Sequence, residues 1–251
     1  MKIFNRNLTI LLLSLMPFIS MAQHTDHCDS MTPFGKPIVV SIEPITRLCR
    51  GLYLVEHSPS RKTAYWSAEY LTRSASLATA VRVNAFKADP DLPKPEAATP
   101  SDYNKSGYDQ GHLAPVGDMH SDSIAMLESF YLSNMVPQNP TNNRNGWSHL
   151  EYYTRGLAIK NDSVYVITGP VYNCAPCKTI GRSKVAVPTH LYKVVYVPSR
   201  KVTISFMVPN IPFTKSQVSQ FITTREVIEQ ATGIKFFPTL DVQLDEMTAL
   251  L

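Results

Sequence analysis

Cysteine is scarce in this chain, four in 251 residues. No second pair at finger spacing accompanies Cys174 and Cys177, so a zinc finger has no support. There is no Gly-x-Ser-x-Gly turn, which removes the serine hydrolases built on that elbow. There is no internal repeat and no low-complexity tract. The apolar run from Leu8 to Ile19 is too short to cross a bilayer comfortably. Charge is nearly balanced at +4, so bulk electrostatics alone would not recruit a polyanion, and local clusters of Arg and Lys must do so.

What is present begins with an address. Lys2 and Arg6 precede the run from Leu8 to Ile19, and Ser20-Met21-Ala22 supplies small residues where a signal peptidase cuts. Residues 1–22 therefore read as a cleaved export signal, which makes the mature chain secreted or periplasmic and free of the membrane. No cysteine follows the cut to carry a lipid, and losing Lys2 and Arg6 lowers the net charge to +2. Residues 23–50 read as an N-terminal arm and 51–251 as one domain, since 44% apolar residues can build a core.

Export permits disulfides, and we expect Cys28–Cys49, tying the arm to the first strand, and Cys174–Cys177, closing a tight loop. The rival reading of Cys174-Ala175-Pro176-Cys177 is a thiol oxidoreductase pair. That chemistry needs a helix N-terminus to lower the thiol pKa, whereas Lys178 to Arg182 reads as loop.

Strands are expected at 52–57 and 63–71 around the turn Ser58 to Lys62, and at 164–168, 191–197 and 202–208. Asp89-Pro90-Asp91-Leu92-Pro93-Lys94-Pro95 cannot continue a helix or central strand, so 72–107 reads as a long surface loop. Residues 214–232 show helical periodicity, closed by Gly233. The class is α+β, a central antiparallel sheet with flanking helices.

The chemistry concentrates between Asp109 and Arg155. A helix starts near Asn143, after Pro140, with Trp147, Leu150 and Leu157 on its buried side. Asn143, Trp147, Glu151 and Arg155 follow at i+4, which puts Glu151 beside Arg155. His112, after Gly111 and before Leu113-Ala114-Pro115, is a fixed imidazole suited to general-base work. Asp109 or a nearby carbonyl would hold its second nitrogen. His120 and His149 are the rival imidazoles, and His149 reads as a surface residue.

Asp-Gln-Gly-His-Leu-Ala-Pro, Ser133-Asn134-Met135-Val136-Pro137-Gln138, and Asn143 through Trp147, Leu150-Glu151 and Arg155 occur in this order. Together they resemble the DNA/RNA non-specific endonucleases, the Serratia-nuclease-like enzymes of the ββα-metal superfamily. The resemblance runs over about residues 50–237 and takes in Thr168-Gly169-Pro170-Val171 and Val187-Pro188-Thr189-His190.

It implies a ββα-metal motif and cleavage of DNA and RNA with Mg²⁺, Mn²⁺ being the alternative ion. His112 would be the general base, Asn143 the one direct protein ligand of the ion, and Glu151 the carboxylate orienting water. Asn134 would support the site, and Arg155 and Arg82 would face the scissile phosphate. Asp109 and Gln110 fall at substrate-facing positions. Gln110 stands where the family has arginine, keeping hydrogen-bonding reach but losing a cation. An exported nucleic-acid-binding protein with weakened catalysis is therefore the competing reading. A homodimer is left open.

Overall fold

The computed structural model describes residues 28–40, 43–240 and 245–247. The export signal expected at 1–22 lies outside the described residues. The elements that position the site run β1 (Thr46–Cys49), β2 (Leu54–Ser58), β3 (Thr63–Thr72), β4 (Asp109–His112), β5 (Met135–Gln138), α1 (Ser148–Asn161), β6 (Ser163–Val171), β7 (His190–Val197), β8 (Val202–Pro209), β9 (Ile222–Thr223), α2 (Arg225–Thr232) and β10 (Asp245–Met247).

The main sheet has the order β9-β8-β7-β6-β3-β2-β1 with antiparallel neighbours throughout. Its eighth strand, β10, joins β8 in parallel. Residues 46–49 of the expected arm form the edge strand β1, so the arm is knit into the sheet. Both expected disulfides are present, Cys28–Cys49 and Cys174–Cys177.

The central strands are buried on both faces, and their alternation assigns each residue to a layer. Val164, Val166, Val195 and Leu71 pack with Leu150 and Leu157 of α1. Tyr165, Ile167, Trp66 and Tyr192 pack on the opposite side with Ile228 of α2, Phe236 and Phe237. The result is a three-layer α+β fold with α1 and the site on one side of the sheet.

Two expectations change. The helix expected over 214–232 is split into a 3₁₀ segment, Lys215–Phe221, and α2, with β9 between them. Ile222 and Thr223 pair with Phe206 and Ser205, and the Thr224 hydroxyl caps the next helix, so sheet pairing overrides the helical period. Gly233 does end α2 in the left-handed region, at φ 71°. The loop at 72–107 is also no free surface segment. Asp89 is buried and accepts from Arg50 Nη2 at 2.6 and 2.7 Å and from the Ser133 hydroxyl, which moors the loop beside Asn134.

Candidate active site

β4 and β5 form a separate antiparallel ribbon, with Asp109 opposite Gln138 and His112 opposite Met135. The chain then turns through Asn139, whose side chain accepts from the backbone of Thr141 at 3.0 Å, and enters the helix that ends as α1. Residues Asn142–Trp147 form a wide π turn before α1. Eight α-helical steps would leave Asn143 and Glu151 about 80° apart around the axis. The wide turn absorbs a residue and returns both toward one side. Trp147, midway, turns into the core and is fully buried.

One cleft of about 660 Å³ is lined by His112, Asn143, Glu151, Arg155 and Arg82, together with Asp109 and Gln110. His120 lines it too. Asn134 does not. It is fully buried, its Oδ1 accepting from Ala114 N at 3.0 Å and its Nδ2 donating to the carbonyls of Ala114 and Ser129 at 2.8 and 3.0 Å. Asn134 therefore fixes the backbone just after His112 and touches nothing in the cleft.

The His112 ring sits between Phe86 and Phe130, at centroid distances of 5.7 and 5.3 Å. Burial there, helped by the nearby Arg82 cation, pushes its pKa down to about 3. The imidazole is thus neutral at physiological pH, with a buried Nε2 that has no protein partner. Asp109 does not hold the ring, contrary to expectation. Residues three apart on a strand face opposite sides, and the Asp109 carboxylate instead takes Asn143 Nδ2 at 3.0 Å and Arg144 at 2.6 and 2.8 Å.

That bond commits the amide end of Asn143, and no donor to its carbonyl oxygen is found among the described residues. Arg82 is exposed, its guanidinium 5.5 Å from the Phe130 ring centre. Arg155 donates to the buried Asp118 at 2.6 Å and lies against Gly117.

Beneath the cleft is a group of charges that the motif reading missed. Lys193 is buried in β7, donates to Thr168 Oγ1 at 2.7 Å, and lies 5.4 Å from the Trp147 ring centre. Lys193 and Thr168 are cross-strand neighbours. Glu69 projects from β3 toward the same layer, and Asp118 approaches from the segment after β4. Burial raises the Glu151 pKa to about 7, with Lys193 and Arg155 pulling it down and Asp118 pushing it up. Glu69 is driven well above the usual carboxyl range by burial and by Asp118, despite Lys193. The sequence did carry a signal: a lysine in Leu191-Tyr192-Lys193-Val194-Val195 is out of place in a strand buried on both faces.

A three-layer α+β fold, with a ribbon and helix presenting one imidazole, one carboxamide, one carboxylate and two arginines to a polar cleft, defines the class. The chain belongs to the DNA/RNA non-specific endonuclease family, whose model matches residues 39–243. It is 37% identical over 205 residues to the mitochondrial nuclease EXOG of Xenopus laevis, covering 75% of this chain and 57% of that protein. It is 38% identical over 212 residues to nuclease C1 of Cunninghamella echinulata var. echinulata, covering 77% and 83%. A chain in the crystal structure of the EndoG/EndoGI complex superposes with a TM-score of 0.79 at 29% identity, covering 87% of this chain and 95% of that one. The match spans less than two thirds of the length of the EXOG relatives.

Proposed function

We propose that this protein is an exported, metal-dependent endonuclease that hydrolyses phosphodiester bonds in DNA and RNA as a single domain. The observation that carries the reading is the convergence of His112, Asn143, Glu151, Arg155 and Arg82 on one cleft. Export rests on the sequence pattern of residues 2–22. Among the described residues no helix is long and apolar enough to cross a membrane.

The residues fit a hard divalent ion of the Mg²⁺ type. Among the described residues no three His, Cys, Asp or Glu side chains form a metal cage, and the Asn143 carbonyl oxygen is an unengaged hard donor presented to the cleft. An ion that keeps several waters suits so few protein ligands. When bound, it would supply charge neutralisation at the phosphate.

The protein's own groups do the rest. His112, neutral and desolvated, takes the proton of the attacking water. Glu151 as carboxylate orients water. Arg155 and Arg82 hold the phosphate and its growing negative charge. Contacts to phosphate rather than base edges predict weak sequence preference and strong salt dependence.

The test is cleavage of plasmid DNA and of RNA with Mg²⁺, with chelator, and by His112→Ala. Loss in the last two supports the reading, and activity that persists in both removes it. Gln110 motivates the second reading, a binding protein with weakened catalysis, which the same assay separates by binding without turnover.

A further inference from the structure

We infer that the groove beside the cleft, edged by Lys105, Lys178 and Arg182, is a second nucleic-acid subsite holding backbone phosphates distant from the scissile bond. The inference rests on the phosphodiesterase reading for its substrate class. Its grounds are separate residues. The groove has a volume of about 420 Å³ and shares Asn104 with the cleft, so the two depressions adjoin at that residue. Tyr108, in the cleft wall, accepts from Lys178 Nζ at 3.2 Å, and its ring centre lies 4.8 Å from that ammonium.

The charge is one-sided. Lys105, Lys178 and Arg182 are exposed, and none meets a carboxylate among the described residues. Asp102, the carboxylate in the lining, is committed elsewhere. It accepts from Thr99 N and Oγ1 at 2.8 Å each and from Ser183 N at 2.9 Å.

The groove is also built firmly. Its outer wall is a hairpin pairing Thr179–Ile180 with Val185–Ala186. Ile180 and Val185 pack against Tyr103, Leu132 and Met135, which ties the hairpin to the ribbon carrying His112. Gly181, at φ +66°, has no room for a side chain, because a Cβ would lie 2.3 Å from Asp102. The Cys174–Cys177 disulfide closes the loop just before Lys178. Three unneutralised cations edging a groove that adjoins a phosphate-handling cleft fit a strand leaving that cleft better than a free small anion.

The test is binding by fluorescence anisotropy in chelator, across a salt series, with a tetranucleotide and a long single strand. The variant is Lys105→Gln/Lys178→Gln/Arg182→Gln, which leaves the packed residues alone. The long strand should bind about tenfold more weakly, with a log–log salt slope smaller by roughly one per lost contact, while the tetranucleotide changes by less than about twofold. Should the triple variant unfold, each single variant is expected to lower the slope by about one.

Unchanged long-strand affinity and slope, or equal weakening of both lengths, would overturn the subsite. A wild type that cleaves both lengths while the variant matches it removes the groove and leaves the nuclease reading intact. A wild type that neither binds nor cleaves removes both.

Discussion

Asp109 and Asn143 are joined by one hydrogen bond, 3.0 Å from Nδ2 to Oδ2. It crosses from the ribbon to the helix and engages the amide nitrogen of the carboxamide. Removing it frees Asn143 to rotate, so Asp109→Ala is expected to weaken divalent-ion binding about 10–100-fold. Calorimetric titration of Mn²⁺ or Mg²⁺ reads this directly. Equal affinity in the variant would mean that the carboxamide is aimed by something else.

The acid limb of the pH–rate profile should belong to Glu151 and not to His112. His112 stays neutral down to about pH 3, because Phe86 and Phe130 desolvate it and Arg82 repels its charge. Glu151 gains its proton near pH 7 in the metal-free protein, chiefly through burial. Below that pH it loses the carboxylate proposed to orient water, so activity is expected to fall. A bound cation shifts the limb downward. Carboxyl NMR of the metal-free protein checks the first value, and the pH–rate profile checks the second. A Glu151 carboxyl that titrates in the ordinary carboxylate range in the metal-free protein would defeat the assignment.

The depressed imidazole also makes folding pH-dependent. The unfolded chain takes up a proton at His112 near pH 6.5 and the folded one near pH 3. Its contribution to stability is therefore complete above pH 6.5 and is lost as pH falls toward 3. His112→Asn should flatten that part of the stability curve, measured by urea unfolding at several pH values. An unchanged slope would place the titrating group elsewhere.

Much of this arrangement was legible in the residue order, and the rest was not for physical reasons. The run from Val164 to Thr168 announced a strand, and Gly233 announced a helix end. Of the motif residues, His112, Asn143, Glu151 and Arg155 gathered in one cleft, whereas Asn134 lies outside it. Strand parity could have warned that Asp109 and His112 point apart. What no motif carried was register. Only the pairing of Thr168 with both Ser67 and Lys193 brings β3 and β7 charges beneath Glu151. The π turn was equally hidden, because periodicity at i+4 describes an unbroken α-helix.

Gln110 sets the substrate affinity if its position faces phosphate. Gln110→Arg restores a cation in the cleft and should steepen the log–log salt dependence of DNA binding by roughly one unit. The Michaelis constant should fall with it. Binding isotherms across a salt series decide the matter, and an unchanged slope would show that residue 110 does not reach the backbone.

Asn134 tests whether holding a backbone can matter as much as touching substrate. Asn134→Ala leaves the Ala114 amide and the Ala114 and Ser129 carbonyls without their partner. Each buried group stripped of its bond costs about 1–3 kcal/mol, so the variant should unfold at lower urea. The turnover number should fall more than the Michaelis constant rises, because Asn134 lies outside the cleft while His112 loses its fixed height. A variant with full turnover and only reduced stability would limit Asn134 to the fold.

Lys193 and Glu69 should respond in opposite ways to losing their charge. Three carboxyl groups, Glu69, Asp118 and Glu151, share the layer under the cleft with Lys193 and Arg155. Glu69 has the side chain whose burial most strongly favours the proton, and its Oε1 has no partner. Its proton is therefore held more firmly than an ordinary carboxyl's, and Glu69→Gln keeps the shape of the side chain while removing the ionisable group. Because its folded pKa is raised, its stabilising effect is lost as pH climbs, so Glu69→Gln should gain stability relative to wild type in alkali. Burial lowers the Lys193 pKa while Glu69, Glu151 and Asp118 raise it, and Lys193→Met, which takes the amine from those carboxyls, should lower stability. It should also move the Glu151 titration, and with it the acid limb, to higher pH, since Lys193 is among the groups holding that carboxylate charged. Denaturation curves and pH–rate profiles of the two variants are the measurements, and a Lys193→Met enzyme with an unmoved acid limb would show that the lysine serves packing alone.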